Sequence, residues 1–573
     1  MLAFFRTFVA VVLAIAFCVI VPTLALVAVA VLGDTGPRDD SWLTIRLNGG
    51  LLEYYTPPTL SELFDDPRTC LMEVTENLEK AAVDDRITGV IFRLDGFAAG
   101  LGKLDEIRAG IRRVRDAGKP VYAHAESFGE TALYLASECD SVFLAPNGEV
   151  YAFGRAAQIE HLKGTFDLLD VTPNFHAIGA YKSAVELFTR KQSSDEAIEN
   201  VTWLFDELDS SYVRVLDKNR GLDADDVGDL RARGILRADD ALAAGVVDGL
   251  LWWDELADHC RGTDKHLASV SSPAYAHVER RAVKLAGRDK IAVVHAQGFV
   301  AANGDDRFDT VVGLTLGPDR IVDDLEDARE DDSVKAVILR WDTGGGATVG
   351  GDLIAHAVQR LRDEKPVVVS VADVAASAGY TMSFRANRIV CPRNGITGSI
   401  GSLTGKLNVR GLYEKLGITH DTIAYAPNAL LFSELTDFTP EQWDLVARDH
   451  LATYDRWIAD IADARGRTPE EIEAVAGGRV WTGGQALERG LVDDLGTFWQ
   501  ALDVARELAD LDPDTKVDLV HYPRERSALD LLRSGEIRRL SANEVAHGVR
   551  RALTAESLGG IRSLAWEPAV RVH

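Results

Sequence analysis

The sequence predicts an α/β protein made of two tandem, related domains behind an N-terminal membrane-spanning helix. Three observations predict it: an apolar run near the start, a set of segments repeated at a nearly constant offset, and strand-type runs alternating with helical spacing inside each copy. At 573 residues the chain is also longer than one hydrophobic core sustains, since cores stop growing at about 250–300 residues. With 46% hydrophobic and 26% charged residues, it has enough apolar side chains to fill two.

The apolar run comes first. Arg6 is followed by an uncharged stretch from Thr7 to Gly33, rich in Val, Ala, Leu, Ile and Phe. It exceeds the roughly 20 residues that cross a bilayer and the roughly 7–15 residues of a cleavable signal peptide's apolar core. Residues 1–40 are therefore expected to be an uncleaved anchor, contacting the lipid bilayer through residues 7–33. Arg6 and the terminal amine flank one end, and Asp34, Asp39 and Asp40 the other. The basic end should stay cytoplasmic, which places everything after residue 40 outside the cytoplasm, behind a single pass.

The repeat comes next. Val90-Ile91-Phe92-Arg93-Leu94-Asp95 matches Val337-Ile338-Leu339-Arg340-Trp341-Asp342 at an offset of 247. The same offset pairs residues 146–148 with 393–395 and Gly154 with Gly401. Lys119-Pro120-Val121 matches Lys365-Pro366-Val367 one residue closer, and Ala241, Gly245, Val247 and Asp248 match Ala486, Gly490, Val492 and Asp493. Any one match could be chance, but an ordered series at nearly constant spacing marks a duplication. The copies imply domains at 41–285 and 286–520, followed by a tail, 521–573, with nine Arg against six acidic residues.

Within the second copy, Ile291 to His295, Lys335 to Arg340 and Val367 to Ala372 read as buried strands. Asp352 to Asp363 has helical apolar spacing, and such alternation implies largely parallel α/β layers. The net charge of −27 argues against nucleic acid as a partner, because an acidic surface repels phosphate. Five cysteines without a CxxC or Cys/His cluster indicate neither zinc nor a disulfide framework.

The chemistry lies where the copies differ. The second contains Ala375-Ala376-Ser377-Ala378-Gly379-Tyr380, a small-residue turn from a strand into a helix, where a hydroxyl stands clear and helix-start N–H groups can face an oxyanion. The first copy has Glu130-Thr131 at that place. Conversely, the first copy has Gly179-Ala180-Tyr181-Lys182-Ser183-Ala184, and the matching stretch of the second, around Pro427-Asn428, has no lysine. A serine in such a turn is more often a capping residue, and a lysine usually a solvated charge. Their reciprocal retention singles them out: one half has kept a nucleophile and the other a base, as a site shared between halves requires.

At these residues the chain resembles signal peptide peptidase A (protease IV), in its long, duplicated form. The matches are Ala375 to Tyr380, Thr397-Gly398-Ser399-Ile400-Gly401, Tyr181-Lys182-Ser183-Ala184-Val185-Glu186, and the glycine loop Asp342-Thr343-Gly344-Gly345-Gly346. The resemblance implies a ClpP/crotonase-like fold present twice, and a homo-oligomer, a tetramer in the long form. It implies that Ser377 attacks the scissile carbonyl, that Lys182 takes its proton and that Ser399 hydrogen-bonds the amine. Backbone N–H groups of Gly345, Gly346 and Ala378 would hold the oxyanion, and no metal or organic cofactor is called for. The implied substrates are cleaved signal peptides and other hydrophobic peptides.

Family members commonly carry Ser-Pro-Gly-Gly where this chain has Thr343-Gly344-Gly345-Gly346, and Gly-Gly-Tyr in place of Ala378-Gly379-Tyr380. Losing the proline loosens the loop, whereas Ala378 still supplies an N–H. Physical chemistry supports the pairing: an ordinary lysine, with a pKa near 10.4, is protonated at neutral pH, and burial without a carboxylate partner lowers that pKa. Ser-Lys pairs are a known variant of serine nucleophile chemistry. Two other readings remain: a crotonase-like acyl-CoA enzyme, which an extracytoplasmic address disfavours, and an inactive membrane scaffold, which retention of Ser377, Lys182 and Ser399 disfavours.

Overall fold

A computed structural model describes residues 37–54, 69–261, 267–309, 313–524 and 570–572. The apolar run at 7–33 and most of the 521–573 tail lie outside the described residues. No described helix is long and apolar enough to cross a membrane.

Each copy folds around its own largely parallel sheet. The first sheet runs in the order Ile235–Arg237, Ser141–Tyr151, Val121–Gly129, Ile87–Ala98, Ser41–Gly50 and Ser269–Ser271. The second runs Val480–Thr482, Ile396–Gly398, Val367–Ala376, Val334–Thr343, Asp289–Gln297 and Val517–Tyr522. In both, the neighbouring central strands pair in parallel and the first-named strand pairs antiparallel. This is the duplication read as topology.

The central strands are continuous apolar runs because helices cover both of their faces. Val367 to Ala372 is buried throughout, and Val337, Ile338 and Leu339 beside it are fully buried. Helix Thr348–Arg362 covers part of one face, with Ile354, Ala355, Val358 and Leu361 buried at helical spacing. The three strands and the helix expected in this copy are present, with the strands extended by one to four residues at an end.

The halves are joined in several places. A shared apolar cluster packs Cys70 and Met72 of the first half against Ile291, Ile338, Val368 and Phe498 of the second. Within this junction Arg340 is fully buried, its guanidinium 2.6 Å from Glu53 and 2.8 Å from Glu106, both also fully buried. A two-stranded antiparallel ribbon adds a third connection: Thr172–Ile178 of the first half pairs with Ser402–Asn408 of the second, Ile178 opposite Ser402.

Candidate active site

That ribbon places the lysine. The chain leaves it at Ile178 and turns through Gly179, whose N–H-bearing neighbours dock on the Gly477-Gly478 turn of the second half: the Tyr181 N–H donates to Gly477 O at 2.9 Å. Glycine is required at 478, where a Cβ would lie 2.5 Å from the Lys182 backbone nitrogen. The neighbouring Arg479 guanidinium sits 4.1 Å from the Tyr181 ring and pairs with Glu199 of the first half, a second clamp on the turn. Arg479 O also accepts from the Ser399 N–H at 2.7 Å, so one segment holds both lysine and Ser399.

The serine is placed by strand Val367–Ala376, at whose end Ser377 takes φ 55°, ψ −117° before helix Ala378–Thr381. A non-glycine residue there is strained, and the surroundings must impose it. Here the Ser377 N–H donates to Gly398 O at 2.8 Å, fixing the turn against the adjoining strand.

The two loops bring Lys182 Nζ to 3.0 Å from Ser377 Oγ, 3.0 Å from Ser399 Oγ and 3.1 Å from Ser399 O. No acidic side chain lies within ion-pair distance of the amine among the described residues. Burial is accordingly the cause that lowers the lysine from its usual value to about 8. The contacts fit a neutral amine: two N–H bonds reach the Ser399 carbonyl and hydroxyl oxygens, leaving the lone pair for the Ser377 hydroxyl to donate into.

The glycine loop closes over the serine. Gly345, at φ 114°, has no room for a side chain, since a Cβ would stand 2.6 Å from Ser377 Cβ. The Gly345 N–H, one of the three expected oxyanion donors, already donates to Thr343 Oγ1 at 3.1 Å. The threonine hydroxyl thus braces a loop that lacks the proline. The Gly346 and Ala378 N–H groups take no part in these bonds, and Ala378 is the first residue of a helix, where N–H groups have no intrahelical acceptor.

In the first half, the place equivalent to Ser377 is filled by an ion pair. Glu130 lies 3.0 Å from Arg231 and accepts from the Gly154 N–H at 2.8 Å. The second half's stretch around Pro427-Asn428 is exposed. Gly478 and Arg479 escaped sequence reasoning, as did the bracing role of Thr343 within the glycine loop; only the Gly477-Gly478 dipeptide carried a visible turn signal.

The comparisons with known proteins place the chain in a family. Residues 113–266 and 359–512 each match the family model for Peptidase family S49, once per copy. The chain is 31% identical over 505 residues to "Serine protease SPPA, chloroplastic" of Arabidopsis thaliana, covering 87% of this chain and 73% of that one. It is 32% identical over 486 residues to "Protease 4" of Salmonella typhi, covering 81% and 75%. A "Putative signal peptide peptidase SppA" of Enterococcus faecium is 28% identical over 289 residues, or 48% of this chain and 83% of that one. Among solved structures, ClpP1 from Listeria monocytogenes aligns at a TM-score of 0.22 and 14% identity over 36% of this chain and 91% of its own, too low a score to carry an argument.

Proposed function

Because the chain belongs to peptidase family S49 and is a serine peptidase, we propose that Ser377 is its nucleophile and Lys182 the general base, contributed by opposite halves. The observation that carries this reading is the 3.0 Å approach of Lys182 Nζ to Ser377 Oγ, with no carboxylate beside the amine among the described residues. In the acylation step the Ser377 oxygen attacks the scissile carbonyl carbon as its proton passes to the Lys182 lone pair. The protonated lysine then delivers that proton to the leaving amine, and a water repeats the sequence to free the acid. Ser399 orients the amine through its carbonyl and hydroxyl oxygens. The Gly346 and Ala378 N–H groups, without an acceptor among the described residues, are donors for the oxyanion, and Gly345 serves by its missing side chain.

The substrates are hydrophobic peptides, cleaved signal peptides among them, degraded on the extracytoplasmic face of a membrane to which residues 7–33 tether the enzyme. The apolar run supports this address, the relative named "Putative signal peptide peptidase SppA" supports the substrate class, and a homo-oligomer fits the same reading. Ser377→Ala should abolish hydrolysis of a hydrophobic peptide while leaving the circular dichroism spectrum unchanged, and should abolish labelling by a fluorophosphonate. Residual turnover above about 1% would assign the nucleophile to another residue. Deletion of residues 1–40 should release the protein from the membrane fraction with peptidase activity retained; retention after a carbonate wash would move the anchor elsewhere.

A further inference from the structure

The two segments that form the candidate site, the glycine loop and the nucleophile strand, part from one another just before they reach it. Trp341 pairs with Val371 and Thr343 with Ala375, so the strand leading to Ser377 carries two more residues across this step than its partner. Such a bulge re-aims whatever follows it. Each strand places a carboxylate there, Asp342 on one and Asp373 on the other.

Both carboxylates are answered by the first half, at the start of helix Leu101–Asp116. Lys103 Nζ is 2.7 Å from Asp342 and 3.8 Å from Asp373, and donates to Leu51 O at 2.9 Å. Asp373 also accepts from the Gly100 N–H at 2.9 Å and the Lys103 N–H at 2.8 Å. The helix has no side-chain cap of its own, so Asp373 supplies one across the domain junction. The approach is close enough to demand glycine at 102, where a Cβ would lie 2.5 Å from Ala372 O. The Lys103 side chain is only 6% exposed, too enclosed for its charge to be a solvated surface charge. Burial opposes that charge, but Asp342, Asp373 and Glu53 outweigh it and hold the ammonium above its ordinary range.

We propose that Lys103 is a positioning residue for hydrolysis: by neutralising Asp342 and Asp373 across the bulge, it sets the spacing between the Thr343–Gly346 loop and Ser377. The first half would then give the site more than its base, because its helix start also fixes the oxyanion loop against the nucleophile. Without the ammonium, two enclosed carboxylates face each other where the strands diverge. Whether the pair then repels or Asp373, which burial already pushes up to about 6, takes up a proton, the cation bridging the two strands is lost, and the loop that begins at the next residue, Thr343, shifts away from Ser377. Lys103 touches neither nucleophile nor base, so substrate binding should survive while transition-state stabilisation falls.

This inference rests on the proposed roles of Ser377 and the glycine loop, and its test separates the two. In the full-length enzyme, Lys103→Met should lower kcat for a hydrophobic peptide at least 10-fold with KM within 2-fold. The inhibition constant of a peptide aldehyde, whose tetrahedral adduct occupies the oxyanion site, should rise by a similar factor. Adding Asp342→Asn to Lys103→Met removes the repulsion and should recover at least 3-fold of the lost kcat. A wild-type kcat in folded Lys103→Met, or aldehyde affinity unchanged while kcat falls, overturns the proposal. If Lys103→Met does not fold, Asp342→Asn alone decides: a 3-fold or larger fall in kcat at constant KM supports it, and an unchanged kcat overturns it. Ser377→Ala is assayed in parallel. Activity in that variant would sink the assignment of the nucleophile, whereas an inactive Ser377→Ala beside a fully active Lys103→Met sinks this inference alone.

Discussion

If burial alone depresses Lys182 to about 8, the pH profile of the enzyme should carry that value. About one lysine in ten is then neutral at pH 7, against about one in 3,000 for a lysine at 10.5. The rate of hydrolysis per enzyme, kcat/KM for a hydrophobic peptide, should rise about tenfold from pH 7 to a plateau above pH 9, with a limb of unit slope. Stability gives an independent reading. The fall from 10.5 to about 8 corresponds to roughly 3 kcal/mol against the charged form in the folded state. The unfolded lysine keeps its proton up to about 10.5 and the folded one loses it near 8, so the cost is complete below pH 8 and fades between those values. Lys182→Met removes the titration altogether. Its unfolding free energy, measured in urea against the parent, should therefore lose ground as pH rises, by about 2 kcal/mol from pH 7 to 9.5. Comparing the two pH values cancels the hydrogen bonds to Ser377 and Ser399 that the variant also lacks. Lys182→Met and Lys182→Arg should both be inactive, since a guanidinium keeps its proton at accessible pH. A limb centred near pH 6.5 that survives in Lys182→Met would refute the reasoning and point to an imidazole, with the hydrogen-bonded pair of His176, in the ribbon, and His450 the first to test.

Three other substitutions probe the surroundings of the dyad. Gly345→Ala puts a methyl 2.6 Å from Ser377 Cβ in a left-handed backbone position, and should cut kcat at least 100-fold in steady-state assays with the fold retained. Ser399→Ala removes the hydroxyl but leaves the carbonyl that also holds the amine; kcat should fall about tenfold, well short of the loss from Lys182→Ala, and equal losses would make Ser399 a full partner. Arg340→Met leaves Glu53 and Glu106 buried without their counter-charge, and should cost about 3–5 kcal/mol in urea denaturation. A loss below 1 kcal/mol would mean that the junction relaxes enough to hydrate the carboxylates.

The sequence by itself determined the α/β class, because strand and helix periodicities are local, and the duplication, because it survives as ordered matches. It also singled out Ser377 and Lys182, through the different residues that each copy retained. What it could not contain is the meeting of residues 195 positions apart, which depends on the ribbon between Thr172–Ile178 and Ser402–Asn408 and on the Gly478 contact. Nor could it show that Thr343 occupies the Gly345 N–H, or that Lys103 reaches across the junction to Asp342 and Asp373. The meeting of the dyad and the reach of Lys103 belong to the packing of one half on the other, whereas the Thr343 bond is local and depends on how the loop itself turns. Periodicity records which face of an element is buried, but not which distant surface buries it, and a lysine loses its proton affinity only where that second surface excludes water.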